Sequence, residues 1–208
     1  MLTIIGRDPE MALVPPLEED RMEPGLRDHV QFFKGPLGVI PNSVRTMAHR
    51  PAIARAFTDL NIAVMTDYGS VTPEFKRLLG YATSHASGCL YCQAHMILAS
   101  ERFNASEERL ADVFDFEPSA HFTEAEKAAL AFARAAAEVP NGVTPEIGNR
   151  LKAHWSDEAI VEIMAVVALF GYLNRWNDSM GSALEELPLS KGEARLSHAT
   201  GWTIGKHV

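Results

Sequence analysis

Sulfur nucleophiles are almost absent from this chain: its 208 residues include two cysteines, Cys89 and Cys92, in a Cys-x-x-Cys spacing. So low a count excludes a disulfide-stapled scaffold and leaves no second cysteine pair to complete a cysteine-rich zinc site. Basic residues are also in deficit, with Lys+Arg 19 against Asp+Glu 27 and a net charge of -8, which argues against nucleic acid as the main partner. A charged-then-apolar leader is missing, since Arg7, Asp8 and Glu10 precede a short apolar run broken by Pro15 and Pro16. A cytoplasmic location is therefore expected. The longest apolar run, Ala159 to Leu173, holds Glu162 as its only charge. It falls short of the roughly 20 residues of a membrane span and reads as a buried core helix, so no membrane partner is expected.

What is present is a chain with 47% hydrophobic residues, enough to bury a full core. Strand-like alternation is nowhere sustained, whereas helix starts are well marked. Thr72-Pro73-Glu74, the capping box from Thr123 to Glu126, Thr144-Pro145-Glu146 and Ser156-Asp157-Glu158 each place a hydroxyl before an acidic first turn. Apolar residues then follow at helical spacing, as in Phe75, Leu78, Leu79 and Ala82, or Ala129, Leu130, Phe132 and Ala133. The pattern predicts a single all-α domain over residues 1–208: an extended, proline-bearing arm over 1–27, a helical core over 28–187 and a polar tail over 188–208 carrying a lone Trp202. The tail is either loose or laid across a neighbouring subunit. A weak internal echo relates residues 72–83 to residues 123–134, with Tyr81 opposite Phe132. A true duplication implies two similar helical hairpins, only the first of which carries thiols.

The chemistry concentrates in SHASGCLYCQAHM, Ser84 to Met96. A helix ending at Ser87 or Gly88, with Gly88 in the left-handed conformation, places both sulfurs in the first turn of the next helix. Residues three apart share a helix face, the Cα spacing suits a disulfide, and the positive helix end favours a thiolate. A free thiol near pKa ~8.5 is only a few per cent ionised at neutral pH; lowering it by about two units makes it mostly thiolate. His95 follows Cys92 by three positions on the same face and is placed to carry its proton. His85, on the preceding helix, either faces the sulfurs or caps that helix.

Rival chemistries stay in view. Zinc would find three ligands in Cys89, Cys92 and His95 and would need a fourth from His121 or a carboxylate. Attached haem requires a histidine directly after the second cysteine, where Gln93 stands. A thioredoxin-type site requires a strand-to-helix turn that a helical chain lacks. Two buried cysteines acting only as small hydrophobes remain the bland alternative.

GYATSHASGCLYCQAHM resembles the core motif of the alkylhydroperoxidase D-like, carboxymuconolactone decarboxylase superfamily. GPLGVIPNSVRTMAHRPAIARAF, FTEAEKAALAFARAAAE and the run ending FGYLNRWND resemble its peroxidase-related branch, so the likeness covers most of residues 30–185. The resemblance implies an all-helical bundle that assembles into homo-oligomers and reduces hydroperoxides through a dithiol; no cofactor or metal is expected. By position, Cys92 matches the peroxidatic cysteine, which becomes a sulfenic acid, and Cys89 matches the resolving cysteine that condenses with it. An external dithiol donor then resets the pair. Two positions depart from the well-described branch. Its relay glutamate, twelve residues before the first cysteine, is Arg77 here, with Glu74 one turn earlier; its relay histidine, four residues after the second cysteine, is Met96. His95 matches a different branch of the superfamily.

Arg77 either stabilises a thiolate or lies on a solvated face. Tyr91, between the cysteines, either gates access or makes a core or interface contact. Asn174, Arg175, Trp176, Asn177 and Asp178 close the apolar helix with a polar cluster that reads first as a hydrogen-bonded helix end and second as pocket lining. His49, His121 and His154 read as surface residues. Two functions are thus carried forward: a peroxidase-like oxidoreductase using Cys92, Cys89 and His95, and a non-redox lyase-like enzyme or small-molecule binder whose cysteines are structural or bind metal. The apolar helix, hydrophobic on all sides, adds the expectation of a homo-oligomer.

Overall fold

The computed structural model describes residues 12–203, and every regular element among them is helical. In chain order these are α1 (Pro24–Val30), α2 (Lys34–Leu37), α3 (Asn42–Met47), α4 (Pro51–Met65), α5 (Pro73–Ala86), α6 (Leu90–Arg102), α7 (Glu107–Asp112), α8 (Glu124–Ala137), α9 (Pro145–Lys152), α10 (Asp157–Met180), α11 (Glu186–Arg195) and α12 (Ser197–Thr200). All four expected caps are found. The hydroxyls of Thr72, Thr123, Thr144 and Ser156 accept from the backbone N–H of Phe75, Glu126, Ile147 and Ala159, and Thr123 with Glu126 completes the reciprocal box. Each such cap is worth about 1 kcal/mol to its helix.

Helix α6 lies at the centre, buried on every side from Tyr91 to Ser100, and α5, α10 and α11 pack around it. Gly80 lets α5 approach α10 closely: a Cβ there would meet the Phe170 ring at 2.6 Å. The echoed helices α5 and α8 have the same length, 14 residues, and pack against each other. Their successors differ, because α5 leads into the 13-residue α6 and α8 into the 8-residue α9.

Three boundaries differ from the sequence expectation. Helix formation begins at Pro24 rather than near Arg27, with proline at the first position, where its missing N–H costs nothing. The described part of the arm is docked: the N–H of Leu17 donates to the Arg45 carbonyl (3.1 Å), and Met22 is buried; residues 1–11 lie outside the described residues. The tail from 188 is neither loose nor wholly polar in its contacts. It forms most of α11, buries Pro188, Leu189 and Gly192, and brings Trp202 into the core with its indole N–H donating to the Leu90 carbonyl at 3.1 Å. Residues 204–208 of that tail lie outside the description.

The apolar run also extends further than its composition suggested. Helix α10 has 24 residues, long and apolar enough to cross a membrane by length and composition, with 44% of its most apolar window buried inside the fold. Its internal charge is accounted for by Glu162, which stands 3.1 Å from Nζ of the fully buried Lys76. Lys76 also donates to the carbonyls of Val64 (2.9 Å) and Thr66 (2.6 Å), so its charge is both paired and hydrogen-bonded, as a buried ammonium must be.

Candidate active site

The turn before α6 follows from its glycine. Helix α5 ends at Ala86, and Gly88 takes φ 73, the left-handed conformation that side-chain-bearing residues avoid. The chain then re-enters a helix with Cys89 as N-cap, which leaves Cys92 at the third helical position. Both cysteines are free thiols and both are buried, but their surroundings differ. Cys92 lines a cavity, and Cys89, fully buried, does not. The contact with Cys92, then burial and the charges of Cys92 and Asp178, push the Cys89 thiol far above its ordinary range. Cys89 is therefore held as S–H beside Cys92. Asn177 on α10 donates its side-chain N–H to the Cys92 sulfur at 3.3 Å, the kind of donor that favours a thiolate over a thiol.

His95 sits one turn beyond Cys92 and lines the same cavity. Its Nδ1 is 3.0 Å from the Tyr91 carbonyl, which can only accept, so Nδ1 carries a proton. Its Nε2 is 2.9 Å from an oxygen of Glu185. The alignment there is that of an ion pair more than of a directed hydrogen bond, because neither atom meets a hydrogen-bond geometry. Burial opposes the Glu185 charge, yet the His95 imidazolium and the backbone N–H of Asn42 hold its carboxyl below the usual glutamate value. The second Glu185 oxygen accepts from the Tyr91 hydroxyl at 2.9 Å. Tyr91 in turn lies against the His95 ring, centroids 4.4 Å apart, and accepts from the Ser43 N–H at 3.3 Å. Burial and the Glu185 charge push its hydroxyl well above the ordinary range.

The cavity encloses about 570 Å³ including its open mouth, of which about 50 Å³ admits the centre of a water molecule, so it is a narrow slot. Phe33, Phe57 and Phe170 supply aromatic walls, and Phe33 and Phe57 are stacked at 6.0 Å. Arg77 forms a charged part of the lining while only 4% exposed.

The remaining sequence candidates are placed as follows. Arg77 reaches the cavity, not a solvated face. Tyr91 is a core residue that holds Glu185 and also lines the slot. Glu74 is directed away from the cysteines: it pairs with Arg109 at 2.9 Å in a cluster with Glu126. His85 packs beside Tyr81, and burial followed by the nearby Arg134 charge lowers its pKa; its neighbours are these, not the sulfurs. His121 pairs through Nδ1 with Asp112 at 2.9 Å. Among the described residues no group of three or more His, Cys, Asp and Glu side chains is placed to hold a metal ion. Sequence reasoning missed Glu185 altogether and ranked Asn177 below a helix-end role; the polar cluster closing α10 was the available signal for the latter.

Comparison with known proteins first defines the class. The fold is the all-helical one of alkylhydroperoxidase D-like proteins, shared with an alkylhydroperoxidase AhpD core, peroxidase-related protein from Ralstonia eutropha JMP134 at TM-score 0.73 and 24% identity over 86% of this chain and 94% of that one. The carboxymuconolactone decarboxylase family pattern matches residues 51–135, so the chain carries a domain of that family. It is also similar to the debrominase Bmp8: TM-score 0.82 and 32% identity over 88% of this chain and 96% of that one, for a cysteine-to-alanine variant in complex with 2,3,4-tribromopyrrole. A curated relative, the uncharacterized protein YnjA of Escherichia coli (strain K12), is 29% identical over 109 residues; the match covers 52% of this chain and 59% of YnjA.

Proposed function

We propose that this protein is a dithiol oxidoreductase that reduces a hydroperoxide at Cys92. The carrying observation is the division between the sulfurs: Cys92 lines the slot with a donor at 3.3 Å, while Cys89 stands behind it as a buried thiol. The Cys92 thiolate attacks the terminal peroxide oxygen, the O–O bond breaks, and the departing alkoxide takes a proton from the His95–Glu185 pair. The Cys92 sulfenic acid then condenses with the Cys89 thiol, releasing water and forming the disulfide. An external dithiol reduces that disulfide by thiol exchange and returns both thiols. This cycle suits a reducing compartment such as the cytoplasm.

Thiol titration before and after one equivalent of cumene hydroperoxide tests the reading. Loss of both thiols in the parent, and slow peroxide consumption by Cys92→Ser, support it; two surviving thiols overturn it.

A second reading is favoured by the aromatic walls together with the likeness to Bmp8. A flat halogenated ring replaces the peroxide: Cys92 takes the halogen, the ring carbon gains a proton from His95, and Cys89 displaces halide to form the same disulfide. Halide release from a bromopyrrole, without oxidation by hydroperoxide, selects this reading over the first.

The same proposal includes self-assembly. Helix α10 exposes Val161 (68%), Met164 (41%) and Tyr172 (40%), and large exposed apolar side chains along one helix are typical of an interface. Light scattering that shows a stable monomer at micromolar concentration counts against it.

A further inference from the structure

We infer that Arg77 makes the slot selective for anionic substrates with a slim apolar body, seating a carboxylate at one end while the reacting group lies at Cys92. Only the second half of this rests on the dithiol reading. Cys92, Met96 and Ala99 line one wall of the slot along α6, and at 1.5 Å per residue Ala99 stands about 10 Å beyond Cys92. Arg77 marks that far end: its guanidinium lies 3.6 Å from the centre of the Phe103 ring, at the C-terminal end of α6. The charge and the nucleophile thus occupy opposite ends of an apolar channel.

The guanidinium is incompletely satisfied by the protein. Its Nη1 donates to the carbonyls of Pro73 (2.7 Å) and Met65 (3.3 Å); Nε and Nη2 have no protein acceptor among the described residues. No carboxylate stands within ion-pair distance of it there, and no Asp or Glu lines the slot. Burial draws its pKa down to about 10, so it remains a cation at neutral pH. A buried, unpaired cation is costly unless an anion joins it, and the planar fork of arginine matches a carboxylate. The anion is not Cys92 itself: the sulfur lies toward the other end of the slot and is served by the Asn177 amide. Glu185 is committed to His95. A ligand carboxylate answers the remaining charge.

Protection of Cys92 from alkylation reads this without requiring turnover. The full-length reduced protein is treated with iodoacetamide in the presence of octanoate or 1-octanol, and Cys92 modification is followed by mass spectrometry. The carboxylate is expected to protect at about tenfold lower concentration than the alcohol, with the gap closed in Arg77→Met and partly retained in Arg77→Lys. Equal protection by the two probes in the parent, or protection by neither, overturns the inference without any variant. A gap that persists in folded Arg77→Met also overturns it. Failure of hydroperoxide to oxidise the thiols, with the octanoate preference intact, defeats the hydroperoxide reading and leaves the anion site standing.

Discussion

Nε2 of His95 lies 2.9 Å from a carboxylate oxygen of Glu185, with the two side chains only 5% and 11% exposed. Nδ1 donates to the Tyr91 carbonyl, so Nε2 is the nitrogen that faces the carboxylate, and a proton held there is the one a leaving group at Cys92 can take. Glu185→Gln keeps an oxygen for Tyr91 and Asn42 but removes the negative charge that faces Nε2 of His95. General acid catalysis is typically worth 10²–10⁴-fold, and the amide leaves the imidazole in place, so a fall of roughly 10–100-fold in kcat/KM for cumene hydroperoxide is expected. The double variant Glu185→Gln/His95→Gln is expected to be little slower than His95→Gln alone, because Glu185 acts through the imidazole.

The same pair gives stability a pH dependence of known sign. Glu185 is held below its ordinary value of 4.5 in the fold. Its contribution is therefore complete above that ordinary value and is lost as pH falls through the lower folded value. Urea unfolding from neutral pH downward should show the parent losing its advantage over Glu185→Gln in this acid range. At neutral pH the variant is expected to be about 3 kcal/mol less stable, the cost of stranding one member of a buried pair. An advantage that grew as the solution was acidified would contradict the assignment.

Asn177 offers a separate handle on the sulfur. A hydrogen bond to a charged acceptor contributes roughly 1.5–3 kcal/mol, so Asn177→Ala is expected to lower the iodoacetamide reactivity of Cys92 at neutral pH by about tenfold or more. Asn177→Asp, which replaces the donor with a like charge, should lower it further. The measurement is the rate of Cys92 alkylation at neutral pH, which should fall in both variants.

These two residues also mark where the sequence stopped being informative. Cys89, Cys92, His95 and the glycine between the helices are local: spacing on one helix and one positive φ set their relation, and both are written in consecutive residues. The four caps were legible for the same reason, each being a hydroxyl answered three residues later. Glu185 is nonlocal. It stands in the turn after α10 and reaches His95 because α11 folds back on α6, a packing that depends on Leu189 and Trp202 finding the core. In sequence that stretch is mostly polar, and its apolar residues are too sparse to announce a docked helix. Glu74 shows the converse, a residue with suitable chemistry and spacing that packing commits to Arg109 instead.

Trp202 connects that docked segment to the thiols, because its indole N–H holds the carbonyl of Leu90, the first residue of α6. Gly192 lies against the same ring, where a Cβ would come within 2.7 Å. Trp202→Ala is expected to cost about 3–5 kcal/mol, and Gly192→Ala about 1–3 kcal/mol by overpacking. Both should also slow peroxide consumption, since α11 carries Glu185 at its N-cap. Thermal unfolding and initial rates on the same preparations check the coupling; destabilisation with unchanged rates would separate the tail from the site.

Gly80→Ala sets two opposing effects against each other. Alanine in a helix interior is favoured over glycine by roughly 0.5–1 kcal/mol, which alone would raise the melting temperature. The added Cβ, however, would stand 2.6 Å from the ring of Phe170, a fully buried side chain in a close-packed contact that cannot move without moving α10. Overpacking of this kind costs typically 1–3 kcal/mol, so the net expectation is a loss of about 1–2 kcal/mol, a few degrees in melting temperature for a chain of this size. The functional consequence follows from α10 itself. Phe170 and Asn177 are on the same helix, and displacing that helix from α5 carries the Asn177 amide away from the Cys92 sulfur. Gly80→Ala should therefore also slow Cys92 alkylation at neutral pH, though it touches neither residue. Relief of the clash by Phe170→Leu should restore stability and alkylation rate together, whereas recovery of stability alone would show that α10 does not transmit the change.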